Sequence, residues 1–286
     1  MQNRILTTVV GSLPRLDELL ELSIRKAIDL QLRHGVNIVS DGEQRSDMVC
    51  YFDQIPGLTR SGPRLGVTGR IGRLSRVEDF HKLKDFCYAR RYLNERGLDN
   101  LEVKVGITGP ITLGFTCGTT HLKGYRSVTD FELYEDLASA LQPLMDELLR
   151  LGAYVQIDEP GLSAQFCEPA KATALINETV AELRHYERDG GRLSVHVCGD
   201  LTRTAKLFDL LASLDVGVLS LEFGGKSGER NLKLLSTDAF FNSGKMVGFG
   251  CASVTPTSID SIESVQEIVR VLHEGIEKVG FERLAY

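Results

Sequence analysis

"SVHVCGD", residues 194–200, lies between two stretches of helical spacing, at about 168–189 and about 202–213. The run is short and apolar, and glycine and aspartate close it, as a strand passing into a turn would be closed. Seven further runs share its character: "ILTTVV" (5–10), "VNIVS" (36–40), "EVKVGI" (102–107), "AYVQI" (153–157), "VGVLSL" (216–221), "KMVGFG" (245–250) and "RLAY" (283–286). Other helical patterns fall at about 16–34, 77–97, 128–151 and 261–278. Strand alternating with helix implies a parallel sheet, and eight such strands in a chain near the usual barrel length close on themselves. The predicted fold is therefore α/β, a (β/α)8 TIM barrel with an incomplete eighth strand at "RLAY". Residues 1–286 read as a single barrel domain. The Gly-, Arg- and Pro-rich stretch 47–76 breaks the rhythm and reads as a loop insertion over the barrel mouth.

The 286 residues are 42% hydrophobic and 25% charged, enough apolar side chain for a full core and too little charge for a disordered chain. A formal net charge of -6 argues against a nucleic-acid partner, which needs a clustered excess of Lys and Arg. Small-molecule chemistry is favoured. The first residues, "MQNRILTTVVGSLPR", lack the apolar region of a signal peptide, and no segment approaches the roughly 20 apolar residues of a membrane span. A cytoplasmic protein with no membrane partner is expected. Its cysteines, at 50, 87, 117, 167, 198 and 251, are widely spaced and read as thiols rather than disulfides.

In a barrel of this kind the chemistry gathers at the carboxyl ends of the strands. The runs end in Gly11 and Ser12, in Asp41, Gly42 and Glu43, in Thr108, in Asp158 and Glu159, in His196 and Cys198, in Glu222, and in Gly250 and Cys251. Thr108 and Asp200 read as ordinary turn and cap residues. Asp158 and Glu222 read as functional, because a carboxylate at an apolar strand end is costly unless a cation or ligand compensates it. His196 and Cys198, two apart on a strand, share a face; by themselves they read as a buried core pair, but Glu222 ends the next strand. One nitrogen, one sulfur and one oxygen from adjacent strand ends make three corners of a zinc site, which could hold an incoming thiol as its thiolate.

These strand ends, "TTVVGSLPR", "DGEQRSDMVCYF", "GITGPIT", "QIDEPGLS", "HVC" and the glutamate of "LSLEF", resemble in order and spacing the motifs of the cobalamin-independent methionine synthase family, in its catalytic barrel. The resemblance runs over nearly the whole chain. It implies a zinc-dependent methyltransferase that makes methionine from homocysteine. By position, His196, Cys198 and Glu222 resemble its zinc ligands, Gly11 and Ser12 the loop receiving the homocysteine carboxylate, and Asp158 the group holding its ammonium. Glu43 lies in the matching acidic loop, where the family's glutamate is offset by one position.

Three departures shape the expectation. The chain carries no second, N-terminal barrel; "GFGCASVTP" has Ser253, Val254 and Thr255 where two-barrel members have a histidine; and the family's last zinc cysteine follows the eighth strand, whereas this sequence stops at "ERLAY". The shorter single-barrel relatives are associated with corrinoid donors, so a methyl-corrinoid, from methylcobalamin or a corrinoid protein, is the expected methyl donor. Methyltetrahydrofolate is the alternative donor, and coenzyme M the alternative acceptor, although a sulfonate thiol would want Arg or Lys where Asp158 stands. A porphyrin-type decarboxylase would want basic residues, and a metal-binding protein without catalysis is the reading from another class. Cys251 is expected to be a bystander to the metal, and the chain is expected to lack the fourth zinc ligand.

Overall fold

The computed structural model describes residues 5–189, 191–203, 206–253, 258 and 261–286. Six parallel strands form its main sheet in the order β1 (Ile38–Val39), β4 (Glu102–Thr108), β5 (Tyr154–Asp158), β6 (Leu193–Val197), β7 (Val218–Glu222) and β8 (Met246–Gly250). The first and last sequence runs extend this sheet at its two edges. Thr8 bridges Ile38, and Leu284 bridges Val247, both in parallel. The Ala285 amide donates to the Val247 carbonyl at 2.9 Å, so "RLAY" pairs as the eighth strand. Tyr286 and Ala285 pack with Ile38 and Leu6, which brings the two edges together in the interior. The curled sheet and its helices make the TIM-barrel arrangement that the alternation predicts.

Parity along the strands sorts the side chains. Val103, Val105 and Ile107 of β4, Val155 and Ile157 of β5, Val195 and Val197 of β6, Leu219 and Leu221 of β7 and Val247 and Phe249 of β8 belong to the main core shared with the helices. Their alternates face the barrel axis, as period two requires. A second cluster, Leu6, Ile38, Tyr154, Val218, Met246 and Tyr286, fills the amino-terminal end of the interior. Above it lies a buried polar layer of Lys104, Gln156, Ser194 and Ser220. Above that, at the mouth, come Asp158, His196 and Glu222.

The outer helices include α1 (Leu20–Arg33), α2 (His81–Glu95), α3 (Pro110–Thr120), α4 (Phe131–Arg150), α5 (Pro169–Val180), α6 (Leu207–Ala212), α7 (Gly228–Leu234), α8 (Asp238–Ser243) and α9 (Val265–Val279). Among the described residues no helix is long and apolar enough to cross a membrane. The stretch 47–76 is not a featureless loop. It holds the antiparallel hairpin β2 (Leu58–Ser61) and β3 (Arg64–Val67), whose Leu58, Leu65 and Val67 enter the main core. Thr108, at the end of β4, donates its hydroxyl to the Met48 carbonyl at 2.6 Å and so ties this insertion to the mouth.

Candidate active site

Inward parity places His196 and Cys198 on one face of β6 and its extension, with Glu222 at the end of the neighbouring strand; the register pairs His196 with Ser220 and Asp158 with His196. His196 Nδ1 donates to the Ser220 carbonyl at 3.0 Å. That contact fixes the tautomer and leaves Nε2 with its lone pair for a cation. Burial, reinforced by the Lys104 charge, brings the imidazole down to about 4, so it is neutral at physiological pH. Glu222 Oε2 accepts from the Gly199 amide at 2.8 Å. The Cys198 thiol is pushed up by burial and then by the Glu222 and Asp158 carboxylates. A cation among these groups would reverse that balance. Among the described residues no three His, Cys, Asp or Glu side chains converge as a metal centre. The donor chemistry of the three residues still suits zinc: one free imidazole nitrogen, one thiol and one carboxylate oxygen, all on inward strand ends.

The acidic groups begin on the next strand, β5, where Asp158 pairs with His196. A Cβ at Gly106 would stand 2.6 Å from Asp158 Oδ2 and 3.6 Å from Glu43 Oε1, so the two carboxylates converge over a strand position that must have no side chain. Glu43 Oε1 accepts from Lys82 Nζ at 2.7 Å, and that lysine is 2% exposed. Glu43 itself has φ 52°, a left-handed conformation unusual for a non-glycine residue and typical of strained functional loops. Burial pushes the Asp158 carboxyl up, Glu43 pushes it further, and its bond from Gln156 and the Lys104 and Lys82 charges oppose the shift. Gly11 and Ser12 are exposed on the loop after the first run, and the Leu13 amide donates to the Gly42 carbonyl at 3.0 Å, which links that loop to the acidic one.

Several residues that shape this site carry no obvious sequence signal. Gln44, 2% exposed, donates to the Leu13 and Gly42 carbonyls and accepts from Ser23 and Leu16, locking the first two mouth loops together. Asn231 of α7 donates to both the Gly199 and Glu222 carbonyls at 2.8 Å. Ser163 donates to the Cys198 carbonyl at 2.7 Å. Lys104 is the one with a readable signal, a charge in the apolar run "EVKVGI" at inward parity with Gly106.

Over residues 5–284 the chain matches the family described as cobalamin-independent synthase, catalytic domain. It is 31% identical to a methionine synthase of Methanocaldococcus jannaschii, over 96% of this chain and 84% of that protein. A Vibrio harveyi protein named 5-methyltetrahydropteroyltriglutamate–homocysteine methyltransferase is 24% identical over 97% of this chain, which spans only 39% of its length. In fold, the chain resembles a B12-independent methionine synthase from Shewanella sp. W3-18-1, with a TM-score of 0.71 at 20% identity over 98% of this chain and 89% of that one. The expected methyl-corrinoid donor, with methylcobalamin or a corrinoid protein as partner, is overturned by this family, which works without cobalamin. The expectation rested on parts the sequence lacks, and a missing part does not select a donor. Val254 and Thr255, read as replacing a histidine, lie outside the described residues. With barrel, mouth and motifs in agreement from residue 5 to residue 284, the chain belongs to the cobalamin-independent methionine synthase family, in its catalytic domain, and is a methyltransferase.

Proposed function

We propose that the protein transfers a methyl group from a methyltetrahydropteroyl-glutamate to the thiol of homocysteine, with zinc held by His196, Cys198 and Glu222. The observation that carries this reading is the convergence of Asp158 Oδ2 and Glu43 Oε1 over Gly106, with Asp158 one strand away from His196. An amino-acid thiol needs an anionic partner for its ammonium within a side chain's reach of the group that activates its sulfur. In this arrangement Asp158 and Glu43 take the ammonium, the exposed Gly11–Ser12 turn takes the carboxylate, and the sulfur falls toward the His196, Cys198 and Glu222 side. Zinc, when bound there, supplies a lower thiol pKa and hence a thiolate at neutral pH. The sulfur attacks the methyl carbon, the methyl–nitrogen bond of the donor breaks, and the nitrogen takes a proton. What the protein adds is position, and holding two reactants in line accounts for much of such a rate. A sulfonate thiol fits poorly, since Lys82 is engaged by Glu43 and Lys104 by Gln156.

The support for the donor is the name of the Vibrio harveyi relative together with the cobalamin-independent family. Purified protein loaded with zinc should form methionine from homocysteine and methyltetrahydropteroyltriglutamate. Asp158→Ala should lower kcat/KM for homocysteine by about a hundredfold, the scale of a lost charge-assisted bond in a buried site. No methionine from either the mono- or the triglutamate donor would rule the reading out.

A further inference from the structure

Lys104 lies in the interior of the barrel, 4% exposed, on the strand position two below Gly106. It touches neither the acidic pair nor the thiol side directly. Its ammonium donates to Gln156 Oε1 at 3.2 Å, and the Tyr286 ring centroid lies 5.3 Å from it. Gln156, 1% exposed, donates from Nε2 to Asp158 Oδ1 at 2.7 Å. The polarity of this chain is forced. An ammonium can only donate, so the amide oxygen must face Lys104, and the amide NH2 must then face Asp158. Asp158 Oδ1 is thereby occupied from below, and Oδ2 is the oxygen turned toward Gly106 and Glu43.

Without the lysine the amide oxygen loses its buried partner, and the bond to Asp158 alone has to hold Gln156 in place. A Gln156 free to leave that position no longer holds Asp158 Oδ1, and the carboxylate can turn out of line. The charges point the same way. Two carboxylates meet here, with Lys82 on Glu43 Oε1 and Lys104 beneath Asp158, so each has a buried counter-charge, and Asp158 Oδ2 is the oxygen turned toward Gly106. His196 of β6 pairs in register with Asp158, and Glu159, beside Asp158, is turned away to the start of α3.

We propose that Lys104 is a positioning residue for acceptor recognition: through Gln156 it aims Asp158 Oδ2 into the pocket, so that the site selects thiols bearing an α-ammonium over the same thiols without one. This rests on the methyl-transfer reading above.

The test compares homocysteine with 4-sulfanylbutanoate, which is homocysteine without its amino group, as acceptors for the zinc-loaded enzyme. Wild type should prefer homocysteine. Lys104→Met should raise KM for homocysteine by about tenfold, the scale of one misdirected charge-assisted bond, and leave kcat within about threefold. The KM for 4-sulfanylbutanoate should not move. Gln156→Leu, which keeps the lysine and cuts the connection, should give the same pattern, so the inference does not depend on one variant folding well. In an Asp158→Asn background, Lys104→Met should add almost nothing, the mark of action through that carboxylate. Equal losses for both acceptors would show a merely structural lysine, and an unchanged homocysteine KM in both variants would remove its role. Wild type that methylates neither acceptor would sink the proposed function itself, and is distinguished from these outcomes before any variant is made.

Discussion

His196 donates its Nδ1 hydrogen to the Ser220 carbonyl, so Nε2 is the only atom it can offer a cation, and Ser163 and Asn231 hold the Cys198 and Gly199 carbonyls just after the thiol it would share that cation with. These contacts make a sharp expectation. The purified protein should hold about one zinc per chain, and His196→Ala or Cys198→Ala should release it, because removing one of three donors leaves too few to compete with water and chelator. Cys251 should be different. It is half-buried against the main core, and its thiol is pushed up by burial and then by the Glu263 charge. Cys251→Ala should leave zinc affinity almost unchanged; metal analysis after dialysis against a chelator decides, and loss of zinc from Cys251→Ala equal to that from Cys198→Ala would make it a ligand. At this scale the sequence is legible where chemistry is rare. A His and a Cys two apart, or a carboxylate ending an apolar run, marks a candidate, although Glu159 ends one such run and serves as a helix cap. Gln44, Gln156 and Asn231 are common residues whose role depends on partners up to 52 positions away, and nothing local marks them.

Helix α3 shows what an element needs that its sequence does not contain. "PITLGFTCGTT" has two glycines and four threonines, a poor helical composition, and it carries no side-chain cap of its own. Glu159, fully buried at the end of β5, supplies the cap from another strand: it accepts from the Ile111 amide at 3.1 Å, the Thr112 amide at 2.8 Å and the Thr112 hydroxyl. No reading of residues 110–120 alone could find this helix. The hairpin of β2 and β3 was hidden differently, since its Arg, Gly and Pro content resembles a loop while its buried Leu65 and Val67 alternate around Gly66. Burial pushes the Glu159 carboxyl from 4.5 to about 7, against the hydrogen bonds from Thr112 and Ile111. An acid raised on folding contributes stability that is complete below about pH 4.5 and lost as the pH rises through about 7, a change of about 3 kcal/mol. Glu159→Gln, neutral throughout, should lack this slope. Urea denaturation at intervals between about pH 5 and 8 should therefore show the wild type falling relative to the variant, and parallel profiles would refute the assignment.

The whole molecule is a barrel filled in three tiers, and the tiers differ in how well the sequence announces them. Strand number was readable because each strand, buried on both sides, forms a short apolar run that no helix period explains. The polar middle tier was not, because Ser194, Gln156 and Ser220 look like the hydrophilic half of an ordinary amphipathic strand and become an interior only when the sheet curls. Tyr286 joins the tiers: its ring lies against Gly248, within cation–π range of Lys104, and among the apolar side chains at the amino-terminal end. Tyr286→Ala should destabilise the fold by about 3–5 kcal/mol through the space it leaves, measured by denaturant unfolding, with full native stability as the contrary result. The apolar tier of Leu6, Ile38, Tyr154, Val218 and Met246 has a kinetic meaning as well. A cup closed at its base has one entrance, so on the proposed chemistry the small acceptor, whose contacts lie deeper, must take its seat before the bulkier donor covers it, and methionine can depart only after the spent donor has moved aside. On that chemistry, traffic through the barrel would be a queue whose order follows from which end is plugged.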